Sequence, residues 1–186
     1  MLATLADAIE GGIRMVLLRE KQLDSRDLHE VARRATDLTA RAEATLIVHD
    51  RADIALAVGA AGVHLGWRSA PLKAVRRVVG PDRLIGVSTH SLEEVQQASR
   101  SGADYVFFGP IFDTPSKRGL LEPRGLSALA DVCEAVDTPV YAIGGFDAER
   151  ARLARDQGAA GVAVLSFLMQ STDVRQCAAR LTGRLD

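Results

Sequence analysis

Apolar residues fall along this chain in two rhythms. Some come in short unbroken runs: Met15-Val16-Leu17-Leu18, Leu46-Ile47-Val48, Tyr105-Val106-Phe107-Phe108, Val140-Tyr141-Ala142-Ile143 and Gly161-Val162-Ala163-Val164-Leu165. Others recur every three or four residues, as in Leu28, Val31, Ala32, Ala35 and Leu38. The first rhythm predicts strands buried on both faces, and the second predicts helices with one apolar face. Taken in order, the pattern predicts a helix over Leu2–Glu10 closed by Gly11-Gly12, then a strand at Met15–Leu18. Asp24 or Ser25 caps the next helix, and Leu46–Val48 is a strand. A short helix around Ile54–Val58 leads to a strand at Gly62–Gly66. Leu72–Val79 is helical and Leu84–His90 is strand and loop. Ser91 and Glu94 read as a capping box. The strand at Tyr105, a helix over Leu126–Ala135 and the strand Val140–Ile143 follow. Asp147 caps a helix, a strand over Gly161–Leu165 ends at Ser166, and Val174–Leu185 is the last helix.

Strict alternation of strand and helix with short loops means a parallel sheet covered by helices. Gly-Ala-Ala-Gly-Val at 59, Gly-Ala-Asp-Tyr-Val at 102 and Gly-Ala-Ala-Gly-Val at 158 repeat one helix end, turn and strand start. That repetition favours a TIM (β/α)8-type barrel over a Rossmann sheet, and no G-x-G-x-x-G follows an early strand. Seven strands are visible, and the chain opens on a helix. Its 186 residues fall below the usual range for this barrel, roughly 200 and up. The expectation is therefore a single domain over 1–186, a barrel lacking its first strand. That strand lies upstream or has been lost.

Net charge is −1, so no bulk field recruits nucleic acid or a membrane surface. Aromatic residues make up only 4% of the chain, too few for base-stacking platforms. Cys133 and Cys177 stand in predicted helices far apart in sequence and read as free thiols. There is no signal peptide and no apolar run long enough to cross a bilayer, which together with the thiols predicts a cytoplasmic protein. A homo-oligomer is compatible with this composition.

Candidate chemistry starts at Gly109-Pro110-Ile111-Phe112-Asp113-Thr114-Pro115-Ser116-Lys117-Arg118-Gly119. Gly109 and Pro110 break the strand at Tyr105. Thr114, Ser116, Lys117 and Arg118 then put two hydroxyls and two cations in one loop. Loops at the C-terminal ends of parallel strands are where such folds place ligands. Short donors and an ammonium suit a phosphate; a solvated surface turn has the same composition.

The other strand ends are Leu18-Arg19-Glu20-Lys21, His49-Asp50-Arg51-Ala52-Asp53-Ile54-Ala55-Leu56-Ala57, Gly62-Val63-His64-Leu65-Gly66, Gly86-Val87-Ser88-Thr89-His90-Ser91, Ala142-Ile143-Gly144-Gly145 and Gly161-Val162-Ala163-Val164. In this order, together with the loop from Gly109 to Lys117, they resemble the thiamine phosphate synthase/TenI family over nearly the whole chain. The resemblance implies a TIM barrel. It implies an enzyme of thiamine biosynthesis that joins hydroxymethylpyrimidine diphosphate to thiazole phosphate with Mg²⁺ and releases pyrophosphate. It assigns Arg19, Lys21, Lys117 and Ser88 to the diphosphate as catalytic residues. Thr114, Ser116, Gly145 and Ser166 fall to the thiazole phosphate pocket, and Asp50 to Mg²⁺. The residue types fit those tasks. Leu17, Arg19 and Lys21 alternate, so on a continuing strand they share a face. Three cations at a barrel mouth could hold a diphosphate and stabilise it as it leaves. A carboxylate suits a hard cation that also takes phosphate oxygens. Gly145 lets backbone approach closely, and the helix beyond it offers free N–H groups to an anion. The plainer readings are a salt bridge of Arg19 or Lys21 with Glu20, and a helix cap or an Arg51 partner for Asp50.

The departures from the family pattern are specific. Leu17 stands where the synthase pattern has Gln, and His49 where it has Asn. Trp67-Arg68-Ser69 replaces Gln-x-Asp, so Ser69 takes the place of the second Mg²⁺ carboxylate and the metal site is weakened. Trp67 either plugs the pyrimidine pocket or packs at the barrel rim. Lys117–Leu120 and Arg124–Leu126 also resemble TenI, the thiazole tautomerase branch, but Pro110 stands where that pattern has its acid/base His. His90 or His49 would have to replace it. Three further readings therefore stay beside the synthase. One is a tautomerase acting on thiazole phosphate without Mg²⁺. Another is a non-catalytic binder of a phosphorylated ligand. The last is a metal hydrolase built on His49, Asp50, His64 and His90, which lacks the usual ligand spacing.

Overall fold

The structure, a computed structural model, describes residues 1–114 and 121–185. Its elements in chain order are α1 (Leu2–Glu10), β1 (Met15–Leu18), α2 (Ser25–Arg41), β2 (Thr45–His49), α3 (Ala52–Ala57), β3 (Gly62–Leu65), α4 (Leu72–Val79), β4 (Leu84–Thr89), α5 (Leu92–Arg100), β5 (Tyr105–Phe108), α6 (Gly125–Glu134), β6 (Val140–Ile143), α7 (Ala148–Asp156), β7 (Gly161–Ala163), α8 (Ser166–Met169) and α9 (Val174–Thr182). No helix among the described residues is long and apolar enough to cross a membrane. Cys133 and Cys177 are free thiols, as the sequence predicts. The chain divides into two compact units, residues 1–85 with the chain from 171 on, and residues 86–170.

In the first unit β1, β2 and β3 run parallel in chain order, with Leu18 opposite Val48 and His49 opposite His64. Leu46, Ile47, Val48 and Val63 are almost wholly buried, which is why these runs are apolar at every position rather than at alternate ones. Asp24 caps α2 by accepting the Asp27 N–H at 2.9 Å. α1 packs on α9, where Gly11 leaves no room for a side chain beside Ala178, and the Thr182 hydroxyl donates to the Gly11 carbonyl at 3.1 Å.

In the second unit β4, β5, β6 and β7 are parallel, again in chain order. Thr89 lies opposite Phe108, Phe108 opposite Ala142, and Ile143 opposite Ala163. Tyr105, 3% exposed, meets Tyr141 edge-on at 5.7 Å between ring centroids and Phe107 at 5.6 Å. A side chain at Gly86 would run into the Tyr105 ring. Gly86→Ala therefore overpacks this cluster and lowers stability by about 1–3 kcal/mol. Thermal unfolding should show it as a fall of roughly 2–4 °C per kcal/mol.

Three element ends differ from the pattern reading. β1 stops at Leu18, so Arg19 and Lys21 lie beyond the strand and the period-two reason for pairing them with Leu17 does not apply. β7 is only three residues long, and Ser166 opens the short helix α8 rather than closing a strand. α9 ends at Thr182, where Gly183 adopts the left-handed conformation (φ 73°) that closes helices.

Candidate active site

At the ends of β1 and β2 the first unit gathers charge. Arg19 follows Leu18 directly, and Asp50 follows His49. The Asp50 N–H donates to the His64 carbonyl at 3.0 Å, and the Arg51 N–H to the His49 carbonyl at 2.8 Å. This turn puts Asp50 at φ 62°, a left-handed conformation that Asp tolerates better than most residues. Arg19, Lys21 and Asp50 are all exposed. Among the described residues none of the three makes an ion pair. Glu20 does not neutralise the cations, and Arg51 is bound instead to Asp53, at 2.6 Å. Neither surface pairing forms among the described residues, although the Asp50 charge still acts on the Arg51 guanidinium at longer range.

Behind them stand two imidazoles. The rings of His49 and His64 stack at 6.2 Å and 29°. His64 is 1% exposed. Burial, with help from His49 and the Arg19 charge, pushes its pKa down to about 3. Burial lowers the His49 pKa as well; Arg19 and Lys21 add to that and Asp50 opposes it. The His49 Nδ1 atom is buried and has no hydrogen-bond partner among the described residues. Both rings are therefore neutral near pH 7. His64 stays neutral in the folded chain down to about pH 3, whereas in the unfolded chain it takes up a proton near 6.5. Stability from this site is thus full above pH 6.5 and lost as pH falls toward 3, at up to about 1.4 kcal/mol per unit. Urea unfolding at pH 7, 5 and 4 should show a shallower pH dependence for His64→Gln than for the parent chain.

Beyond β3 the chain turns tightly. The Gly66 N–H donates to Ser69 Oγ at 2.8 Å, and the Ser69 N–H returns to the Gly66 carbonyl at 3.0 Å. A Cβ at Gly66 would touch His49 Cε1 at 3.4 Å. Trp67 at the tip is 81% exposed and carries Arg68 over its ring at 4.5 Å, so it does not pack at a rim. Among the described residues no three His, Cys, Asp or Glu side chains cluster to hold a metal, and His49, Asp50, His64 and His90 form no such group.

The second unit brings its strand-end loops together by register. Ile143 lies opposite Ala163, so Gly144-Gly145 and Val164-Leu165-Ser166 leave one edge side by side. Pairing continues past β5: the Ile111 N–H donates to the Ile143 carbonyl at 2.9 Å and the Phe112 N–H to the Gly144 carbonyl at 3.1 Å. Pro110 lies close against Gly144, whose Cβ would sit 2.7 Å from the proline Cβ. Gly145 has φ 72°, and its Cβ would meet Phe112 Cβ and the Asp113 carbonyl at 2.7 Å. Thr114 is buried beyond them. Ser88 lies half-buried on β4 opposite Phe107. The His90 Nδ1–H donates to the Gly109 carbonyl at 2.6 Å. Ser116 and Lys117 lie outside the described residues. The Asp147 carboxylate caps α7 by accepting the Arg150 N–H at 2.8 Å, and so takes one of the helix-start N–H groups. What sequence reasoning missed is Arg150, whose Nη1 donates to the Gly145 carbonyl at 2.6 Å. Nothing in its helical context marks it off from the other arginines of α7.

A family model described as thiamine monophosphate synthase matches residues 1–168. The chain belongs to that family. A thiamine-phosphate synthase of Desulfitobacterium hafniense is 40% identical over 178 residues, 96% of this chain and 85% of that protein. A protein of Geobacter sulfurreducens named putative thiamine-phosphate synthase is 43% identical over 185 residues, 100% of this chain and 87% of that one. A solved thiamine phosphate pyrophosphorylase from Pyrococcus furiosus superimposes with a TM-score of 0.91 at 35% identity, covering 98% of this chain and 87% of that chain. The fold is accordingly the TIM (β/α)8 type of this family, with seven strands among the described residues.

Proposed function

We propose that this chain, acting as a single domain, is a transferase of thiamine biosynthesis that joins hydroxymethylpyrimidine diphosphate to thiazole phosphate and releases pyrophosphate. Joining them forms a bond from the thiazole to the pyrimidine's methylene carbon and breaks the bond from that carbon to the diphosphate oxygen. The electron pair and the growing negative charge go to the departing pyrophosphate. The observation that carries the reading is the set of exposed charges at the ends of β1 and β2, Arg19, Lys21 and Asp50, none of them in an ion pair among the described residues, in a chain of this family.

Arg19 and Lys21 take the diphosphate oxygens in this reading and stabilise them most when the charge is greatest, at departure. Lys117 and Ser88 are assigned to the same group by family resemblance. The donor set suits Mg²⁺ in part. Asp50 supplies one exposed carboxylate, while Ser69 Oγ is already an acceptor for the Gly66 N–H. Asp50 would hold the ion, and the diphosphate and water would fill the remaining positions. Bound there, Mg²⁺ would neutralise charge on the leaving group. The weakened metal site follows from Ser69.

On the other substrate, Gly144 and Gly145 turn at positive φ, and neither the Gly145 nor the Phe146 N–H reaches an acceptor among the described residues. Such N–H groups beside a short helix after the last strand are a recurrent phosphate site in this fold. Thr114, Ser116, Gly145 and Ser166 are assigned to it. Against the tautomerase alternative, Pro110 offers no acid/base group and packs on Gly144. Substrates this charged do not cross a bilayer unaided, which supports a cytoplasmic site of action.

Calorimetric titration with each substrate, with and without Mg²⁺, tests the reading. Binding of both, with the diphosphate dependent on Mg²⁺, supports it. Binding of thiazole phosphate alone, indifferent to Mg²⁺, removes it in favour of a tautomerase or a binder.

A further inference from the structure

Arg150 stands in the first turn of α7 and is exposed, yet its guanidinium is held on three sides. Nη1 donates to the Gly145 carbonyl at 2.6 Å, Cζ lies 4.7 Å over the Phe112 ring, and Nε is 3.9 Å from Asp147 Oδ2. Phe112 in turn meets Phe146 edge-on, at 5.3 Å and 78°. One side chain thus touches the loop after β5 and the loop after β6. The peptide bond is planar and trans, so the Gly145 carbonyl and the Phe146 N–H point to opposite sides. Fixing the carbonyl on Arg150 aims that N–H away from the guanidinium. Gly145 has no Cβ to restrict its own rotation, so this peptide depends on an outside hold.

We infer that Arg150 is a positioning residue: it clamps the Gly145–Phe146 peptide so that the loop's backbone N–H groups are preset for the phosphate of the thiazole substrate. The inference rests on the assignment of that phosphate to the Gly144-Gly145 loop. Arg150 need not touch the ligand. Lys would keep the charge but lose the planar fork that bonds the carbonyl while lying on the Phe112 face.

Two measurements on the whole chain test it. In steady-state kinetics Arg150→Ala raises KM for thiazole phosphate about 10-fold, leaving kcat and KM for pyrimidine diphosphate within about 2-fold of wild type, and Arg150→Lys recovers only part of the loss. A merely structural role would not confine the defect to one substrate. An unchanged KM for thiazole phosphate in folded Arg150→Ala overturns the inference. The second measurement is an amide NMR titration with inorganic phosphate, which keeps the test independent of turnover. The Gly145 and Phe146 amides shift in wild type and lose most of that shift in Arg150→Ala. If they do so in a chain that makes no thiamine phosphate, the synthase reading fails and the clamp stands. No shift in wild type, or equal shifts in both, overturns the clamp.

Discussion

Asp50→Asn abolishes most of the Mg²⁺-dependent turnover, by about 10²–10³-fold, and leaves the fold intact. Asn keeps the shape of the side chain and is among the few residues at home in the left-handed region that Asp50 occupies at φ 62°. The substitution therefore removes the charge and little else. Asp50 is the one carboxylate of this turn free to meet a cation, because Asp53 is taken by Arg51. Ser69 Oγ already accepts the Gly66 N–H at 2.8 Å and carries no charge to replace it. Asp50→Gly separates the two burdens on the residue further. It relieves the backbone and should raise stability slightly, by up to about 1 kcal/mol, while turnover is lost. Turnover at several Mg²⁺ concentrations, with urea unfolding of the same samples, checks both. Normal activity in Asp50→Asn would move the metal elsewhere.

Gly145→Ala has the second largest expected effect, a rise of about 10²-fold in KM for thiazole phosphate with pyrimidine diphosphate affinity kept. Two costs combine at this position. A positive φ of 72° disfavours any side chain, and the new methyl would lie 2.7 Å from Phe112 Cβ and the Asp113 carbonyl. The loop must shift, and its N–H groups shift with it. Gly59→Ala is the control. Gly59 has φ 68° but nothing within 4 Å of its Cβ position. It bears the same backbone strain, about 1–2 kcal/mol, without moving a loop. Steady-state kinetics of the two variants should separate them cleanly. Equal KM values would mean that the Gly145 loop does not hold the phosphate.

These positions were legible in the sequence to different degrees. Met15–Leu18 and Val140–Ile143 are strands to the residue, because an unbroken apolar run bounded by charge or glycine has one way to be buried. Asp147 is readable as a cap for the same local reason, while α2 offers Asp24 or Ser25 and the structure uses Asp24. Family resemblance assigns roles to Asp50 and Gly145, but their positive φ values come from the turns they make and no pattern prints them. β7 is shorter than its apolar run predicts, since Val164 and Leu165 are as apolar as a strand although they lead into α8. Ser91 does accept the Glu94 N–H, at 3.3 Å. The Glu94 carboxylate, however, takes the His90 N–H at 2.6 Å, one residue before the capping-box partner. Arg150 was invisible, because a guanidinium that reaches back to a carbonyl five residues earlier has the same sequence context as one in water.

The central claim is the joining of the two substrates, and one assay meets it directly. Purified chain is incubated with hydroxymethylpyrimidine diphosphate, thiazole phosphate and Mg²⁺, and pyrophosphate and thiamine phosphate are both quantified over time. The account predicts one pyrophosphate for each thiamine phosphate, a rate that falls away when Mg²⁺ is chelated, and no pyrophosphate when thiazole phosphate is omitted. Binding of both substrates without any thiamine phosphate formed would contradict it, as would pyrophosphate released in the absence of the thiazole.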